Sequence, residues 1–405
     1  MARRVAELPA GTRVTDYVSL GVVAKAFPRA RIDAVLAATQ RASRRQRDLP
    51  AHVVVYYVIA LALFMQSSYR EVLRCLLEGL TWLFGPAAVR VAGKSGISQA
   101  RTRLGWLPLK QLHDELVHPI AGPQTKGAWY RGWRLMSLDG SHLDVADTPE
   151  NVTAFGRPKA SRGASAFPQI HLVSLIETGP HVVVASEIGA CDAAETELAH
   201  GLLPRLGRGM LCLADRLFFG YALWRQAQAT HAELLWRIKV GRKLRCHQVL
   251  SDGSYLSAVY PSDRDRRRER NGTTVRVIDY RLEGVADAEP LYRLVTTILA
   301  PEQAPAPELA ALYAERWEIE TTFDELKTHI RGARVVLRSK TPDLVRQECY
   351  GLLLAHFAVR GLMHEAALSV DVDPDKLSFL HAVRVVRRRL PRVAAFPPSG
   401  LGGGS

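Results

Sequence analysis

Two short apolar runs, Arg134–Asp139 (RLMSLD) and Met210–Asp215 (MLCLAD), each close on an aspartate, and the architecture reads outward from them. Between them lie the strand-like runs His171–Glu177 and His181–Ile188, joined by the turn Thr178-Gly179-Pro180. A helix over Ala194–Leu206 leads into Met210–Ala214. A helix near Phe218–Ala229 and a strand over Leu234–Val240 follow. Three hairpin-connected strands, then alternating helix and strand, predict an α/β fold on a mixed sheet. Asp139 is read as ending its strand, with Gly140 letting the chain turn away, and Asp215 as ending its own in the same manner. Open α/β sheets hold ligands beyond the carboxyl ends of their strands. Aspartate also terminates strands as a plain turn residue, so the pair gains weight only from a third group.

On either side the texture is helical. Ala24–Gln40 has helical spacing, Arg41, Arg44, Arg45 and Arg47 form a basic cluster, and Val53–Met65 reads as a buried helix. Tyr69–Phe84 is amphipathic through Val72, Leu73, Leu76, Leu77 and Leu80. Ser95–Leu104 (SGISQARTRL) predicts a serine-capped basic helix with Arg101 and Arg103 exposed, fit to grip phosphates or simply a solvated face. Gly241 to about Ala300 reads as a β-rich insertion carrying the run RDRRRER (Arg264–Arg270), with Tyr292–Leu299 returning to the sheet. Beyond a long helix over Glu308–Ile330, the chain is helical and basic, ending in Arg384, Arg387, Arg388 and Arg389. The expected division is a helical domain over 1–130 and an α/β domain over 131–345, interrupted by the insertion at 241–300. A basic helical region over 346–396 and a linker-like tail over 397–405 complete it.

Charge sharpens this layout. The 405 residues carry 54 Lys plus Arg and 40 Asp plus Glu, net +14. Residues 1–134 hold 20 basic and 8 acidic groups (+12), 135–330 hold 22 and 26 (−4), and 331–405 hold 12 and 6 (+6). Basic flanks around a slightly acidic middle suit a polyanion held across a carboxylate site, although Arg-rich composition alone would give a similar excess. Five scattered cysteines without a CxxC pair argue against a disulfide framework or zinc ribbon and for a reducing, cytoplasmic setting. The longest apolar run, Val53–Met65, is 13 residues, short of the roughly 20 a membrane span needs.

The third group lies on the long helix. Tyr313, Arg316, Glu320 and Lys327 stand at offsets of 3, 7 and 14, within a stripe of roughly 60° at about 100° per residue. Leu312, Ile319, Phe323, Leu326 and Ile330 form a second stripe facing the core. Glu320 thus borders the buried face, where the aspartates can meet it. Three carboxylates from separate segments make a hard-oxygen site of the kind Mg²⁺ or Mn²⁺ selects.

The spacing Tyr313-x2-Arg316-x3-Glu320-x6-Lys327 resembles the signature of DDE transposases of the bacterial insertion sequence 4 family. Leu138–Gly156 (LDGSHLDVADTPENVTAFG) and Ala214–Phe219 (ADRLFF) look like that family's first and second aspartate regions. The amino-terminal ARIDAVLAATQRASRRQRDLPAHVVVYYVIALALF and Arg338–Glu348 (RSKTPDLVRQE) share its look, so the resemblance covers nearly the whole chain. It implies a ribonuclease-H-like mixed sheet with a β-rich insertion between the second aspartate and the glutamate.

It further implies that Asp139, Asp215 and Glu320 are catalytic and bind two Mg²⁺ or Mn²⁺ ions, about 3.5–4 Å apart in such sites. Family members nick double-stranded DNA at terminal inverted repeats, pass through hairpinned ends and join 3′-hydroxyls to target DNA, paired as a homodimer on the DNA. Tyr313, Arg316 and Lys327 are expected at phosphates near the cut, with Arg44, Arg45, Arg47, Arg101 and Arg103 as further DNA contacts. Trp317 is suited either to bracing a flipped base or to core packing, whereas Trp236 belongs in the core. Asp144 and Asp147 are expected in loops or turns, Asp144 being the stand-in for Asp139. Arg216 and Asn151 are expected to support the site from behind, and His142 and His171 to be surface or packing residues. A ribonuclease-H-like nuclease without strand transfer, or a DNA-binding protein whose catalysis has decayed, would share the triad or the flanks.

Overall fold

The computed structural model describes residues 15–45, 49–65, 67–74, 76, 94–160, 163–164, 167–282, 289–316, 318–330 and 336–388. Arg47, Trp317, Arg389, the tail and residues 77–93, which hold Leu77 and Leu80, lie outside them.

A mixed sheet organises the chain. Its strands are β1 (Trp133–Asp144), β2 (Gln169–Glu177), β3 (Val182–Ala190), β4 (Met210–Ala214), β5 (Glu233–Ile238), β6 (Gln248–Val249), β7 (Tyr255–Val259), β8 (Thr273–Tyr280) and β9 (Tyr292–Thr296). They lie in the order β3-β2-β1-β4-β5-β9-β8-β7-β6, with Trp129–Tyr130 pairing to the start of β1. β1 runs antiparallel to β2 and parallel to β4, and β4 runs parallel to β5. This is the expected ribonuclease-H-like mixed sheet. The strands of residues 241–300 extend its edge, because β9 returns antiparallel against β5. Part of the basic run there folds as a short helix, Asp263–Arg268, capped by Ser262 Oγ accepting from Asp265 N at 3.1 Å.

One reading of β1 is corrected. The strand does not stop at Asp139: it continues to Asp144, pairing Asp139 with Ser174 and Asp144 with Gln169. Gly140 therefore makes no turn. A Cβ there would lie 2.7 Å from Glu195 Oε1 and 3.1 Å from His171 Nε2, so the glycine leaves room for these two side chains to approach the strand closely.

Side-chain alternation sends successive residues to opposite faces of the sheet. Met136, Leu138, Cys212, Ala214, Leu234 and Trp236 join a core shared with the terminal helices. Leu135, Leu211, Leu213 and Leu235 join a second core on the other face. The first core contains α1 (Thr15–Ala26), α2 (Arg29–Ala38), α3 (Ala51–Leu63), α4 (Lys94–Leu104) and α5 (Leu107–Leu116), together with the 28-residue helix Pro342–Ser369. Helix α3 is buried from Val53 through Leu63, which explains its apolar run. It meets the Pro342–Ser369 helix at Gly351, where a Cβ would stand 2.8 Å from Val58 O. That long helix starts before 346 and is mostly core; of the basic cluster beyond it, Arg384, Arg387 and Arg388 fall in the helix Phe379–Arg388.

The single helix expected over Glu308–Ile330 is three pieces: α-helix Ala306–Glu315, α-helix Glu318–Asp324 and π-helix Glu325–Ile330. Its apolar stripe divides accordingly. Leu309 and Leu312 pack in the second core, while Phe323 and Leu326 pack in the first. The break near Arg316 lets the chain pass from one face of the sheet to the other, which one straight helix cannot do. π-turns of this kind recur at functional sites.

Candidate active site

Register brings the two aspartates together. Leu138 and Ala214 are partners on the parallel strands β1 and β4, so Asp139 and Asp215, one residue further on, stand side by side. Neighbouring strands lie about 4.8 Å apart, within reach of a shared ligand. The helix Glu318–Asp324 packs against β1 and carries Glu320 in its backbone. The Glu320 side chain lies outside the described residues.

Two guanidiniums face the aspartates. Arg316 Nη1 is 3.5 Å from Asp139 Oδ2, and Arg237 Nη1 is 4.0 Å from Asp215 Oδ1. Burial pushes the Asp139 carboxyl above its ordinary value, while Arg316 and the Gly140 N–H, 2.9 Å from Oδ1, pull it back. Burial works against the Arg316 charge, but Tyr313, Asp139 and Asp215 outweigh it and raise its pKa. Tyr313 is 5% exposed, with its hydroxyl donating to Ala214 O at 3.3 Å, which braces the end of β4. Arg237 is a site residue the sequence reading missed, because it sits mid-strand without a motif.

Glu195 was missed as well. Its Oε1 is 3.4 Å from His171 Nε2, and its charge acts on Asp139. His171 is buried, its Nδ1–H donating to Ala193 O at 2.9 Å, and stacks on the exposed His142 at 4.2 Å between ring centres. Burial first, then His171 and the Lys327 ammonium, lower the His142 pKa. Both histidines are packing or surface groups, as expected.

The π-helix is tied down from within. Glu325, 2% exposed, accepts from Arg360 Nε at 2.9 Å and from its Nη2, and pairs with His356 Nε2 at 3.0 Å. Arg360 also meets His181 Nδ1 at 2.6 Å, and His181 Nε2 lies 3.1 Å from Asp375 Oδ1. This network holds the segment bearing Glu320 and Lys327 against the long carboxyl-terminal helix. No spacing signals it, since its members come from four separate segments.

Arg101 also needs correction. Expected exposed, it is 2% exposed, with Nε donating to Gln347 Oε1 at 2.8 Å and Nη2 to Ser339 Oγ at 2.9 Å. A guanidinium so enclosed ties α4 to the long helix and presents nothing to a phosphate. Arg103, Arg44 and Arg45 are exposed, and Arg41 Nη1 donates to Arg103 O at 3.1 Å, joining the two basic segments into one patch. Trp236 is buried edge-on to Trp224. Asp144 ends β1, rather than lying in a loop, and accepts from Gln169 Nε2 at 2.8 Å; Asp147 pairs with Arg157 in the loop that follows. Asn151, fully buried, holds Ala146 O and Ser339 O at 2.9 and 3.1 Å, bracing loops rather than the carboxylates. Arg216, beside Asp215, reaches Glu289 Oε1 at 2.9 Å.

The donor set suits a hard cation. Asp215 Oδ1 is buried without a hydrogen-bond partner, and Asp139 is adjacent, so a carboxylate oxygen is left for a cation to take. Among the described residues no three His, Cys, Asp or Glu side chains group at ligand spacing.

Residues 17–114 match the family described as insertion element 4 transposase N-terminal, and residues 132–358 match the transposase DDE domain. The transposase InsG for insertion sequence element IS4 of Escherichia coli (strain K12) is 27% identical over 379 residues, 91% of this chain and 83% of that protein. InsZ of the same organism is 26% identical over 203 residues, 50% of this chain and 65% of that one. A cryo-EM structure of piggyBac transposase in a synaptic complex with hairpin DNA aligns with a TM-score of 0.45 at 10% identity, covering 93% of this chain and 81% of its own. The DDE-domain match spans more than half of the chain, which belongs to the insertion sequence 4 family of DDE transposases.

Proposed function

We propose that the chain cleaves double-stranded DNA at the terminal inverted repeats of an insertion sequence and joins the freed 3′-hydroxyls to target DNA, with Asp139, Asp215 and Glu320 as the catalytic carboxylates. The observation carrying this reading is the placement of Asp139 and Asp215 side by side at β1 and β4, with an unpartnered buried oxygen on Asp215. The same carboxylates would hold Mg²⁺ or Mn²⁺. Bound there, divalent ions supply an activated oxygen nucleophile and stabilise the charge developing on the leaving 3′-oxygen. The chain's own residues hold the reacting groups. Tyr313 braces the end of β4 that bears Asp215. Arg316 sits against Asp139, where it can accompany a phosphate, and Lys327 supplies a point charge beside it. The patch of Arg103, Arg44 and Arg45 grips duplex away from the cut. Pairing of two ends calls for a homodimer on DNA. Among the described residues no helix is long and apolar enough to cross a membrane.

The test incubates the protein with end DNA, Mg²⁺ and a target plasmid, then repeats it with Asp139→Asn, Asp215→Asn and Glu320→Ala. Wild type should cut and join, and each variant should bind DNA yet lose activity by about 10³-fold or more, the scale on which a single electrostatic group acts. Joined product persisting in Glu320→Ala would remove Glu320 from the site. Cleavage without joining would make the chain a nuclease, and a hairpin band would reveal how the second strand is cut.

A further inference from the structure

We propose that Arg216 and Arg237 form a binding site for one DNA backbone phosphate beside Asp215, and that the carboxylate of Glu289 occupies it in the free protein. The inference rests on the DNA-cleaving reading above. Glu289 bridges the two guanidiniums: Oε1 accepts from Arg216 Nη1 at 2.9 Å, and Oε2 lies 2.6 Å from Arg237 Nη2. Two oxygens of one anion shared between two guanidiniums is also the arrangement by which arginines take a phosphodiester.

The fold sets the backbone position of both arginines, and it holds the Arg237 guanidinium by contacts besides Glu289. Arg216 follows Asp215 at the carboxyl end of β4, and Arg237 projects from β5 with its guanidinium 4.7 Å from the centre of the Tyr292 ring. Its other nitrogen, Nη1, is the one 4.0 Å from Asp215. A phosphate in place of the Glu289 carboxylate would therefore lie one guanidinium away from the proposed cleavage site. Glu289 is the replaceable member. Its side chain is 39% exposed and that of Arg216 41%, so this half of the bridge holds weakly, while Arg237, 15% exposed, is the fixed partner. The Glu289 backbone N–H donates to the Tyr292 hydroxyl at 3.1 Å, which keeps the carboxylate poised over β5. Arg237, then Arg216, holds the Glu289 carboxyl below its ordinary range in the free protein.

The sign of the effect tests the idea. A structural carboxylate strengthens nothing when it is neutralised, whereas a competitor for the phosphate does. Binding of a fluorescent duplex of arbitrary sequence is measured by anisotropy across a salt series for wild type, Glu289→Gln, Arg216→Gln, Arg237→Gln and Arg237→Lys. Glu365→Gln, which neutralises an exposed carboxylate paired with Lys25, controls for net charge. Glu289→Gln should tighten binding about 3- to 10-fold and Glu365→Gln less than about 2-fold, and Arg216→Gln and Arg237→Gln should each weaken binding and flatten the salt slope by about one. Arg237→Lys should retain most of the slope. In an Arg216→Gln/Arg237→Gln background, Glu289→Gln should change nothing. Unchanged or weaker binding by Glu289→Gln, or an unchanged slope in both arginine variants, overturns the site while leaving the DNA reading intact. A wild-type chain that binds no duplex at low salt overturns both.

Discussion

Arg360 clasps Glu325 with two donors inside the protein, each residue 2% exposed, and so pins the π-helix to the long carboxyl-terminal helix. Removing one partner leaves the other charge buried and unpaired, which costs about 3–5 kcal/mol. Glu325→Gln should therefore lower the urea midpoint severely. Glu325→Gln with Arg360→Met should recover much of the loss, because no stranded charge remains. Equal midpoints for the single and double variants would show that the pair is not coupled.

The same network sets a pH dependence. The Glu325 carboxyl is held well below its ordinary range: burial would raise it, and His181, His356 and Arg360 outweigh burial. Its contribution is present above the unfolded value near 4.3 and is lost only as pH falls through the lower folded value. His181 moves the other way. Burial would lower its pKa, yet Asp375 and Glu325 raise it, so its contribution is complete below about 6.5 and fades as pH rises through the folded value. His181→Asn, which tolerates the positive φ of 55° at this position, should cost more stability at pH 6 than at pH 9. Thermal melts of both proteins at the two pH values decide it.

Arg316→Ala should shift the pH profile of end cleavage. Asp139 is already raised by burial, and losing the guanidinium 3.5 Å away raises it further. The acidic limb of the profile should move to higher pH, and Arg316→Lys should move it part of the way back. A limb that stays put would separate Arg316 from Asp139 electrostatically.

Arg101 and Arg103 should behave as opposites although one residue separates them. Arg101→Ala leaves Gln347 and Ser339 without their donor and should cost about 3 kcal/mol, with little change in the salt slope of DNA binding. Arg103→Ala should leave stability within about 0.5 kcal/mol and flatten the slope by about one. Denaturation curves and salt titrations of both variants check this.

Gly140→Ala places a methyl group on Glu195 and His171 and should cost about 1–3 kcal/mol. End cleavage should slow as well, since Asp139 precedes it on the same strand. Glu195→Ala should restore the stability of the double variant by removing the clash.

What was legible in the sequence was local or shared along a family. Strand-forming runs holding Asp139 and leading to Asp215, the apolar helix Val53–Leu63, the basic flanks and the Tyr313–Lys327 spacing all appear within short windows. Periodicity and composition report such features because each residue's neighbours along the chain decide them. Tertiary structure alone decided the rest. Arg101 and Arg103 have the same side chain on one helix, and a partner 246 residues away makes the first a buried tie. The helix stripe of Tyr313, Arg316, Glu320 and Lys327 assumed one straight helix, but the segment is broken and its pieces pack in different cores. Glu195, Arg237, Glu289 and Glu325 carry no motif, because a charge acquires its role from the groups that burial places beside it, and those groups are set by the fold rather than by the spacing of residues along the chain.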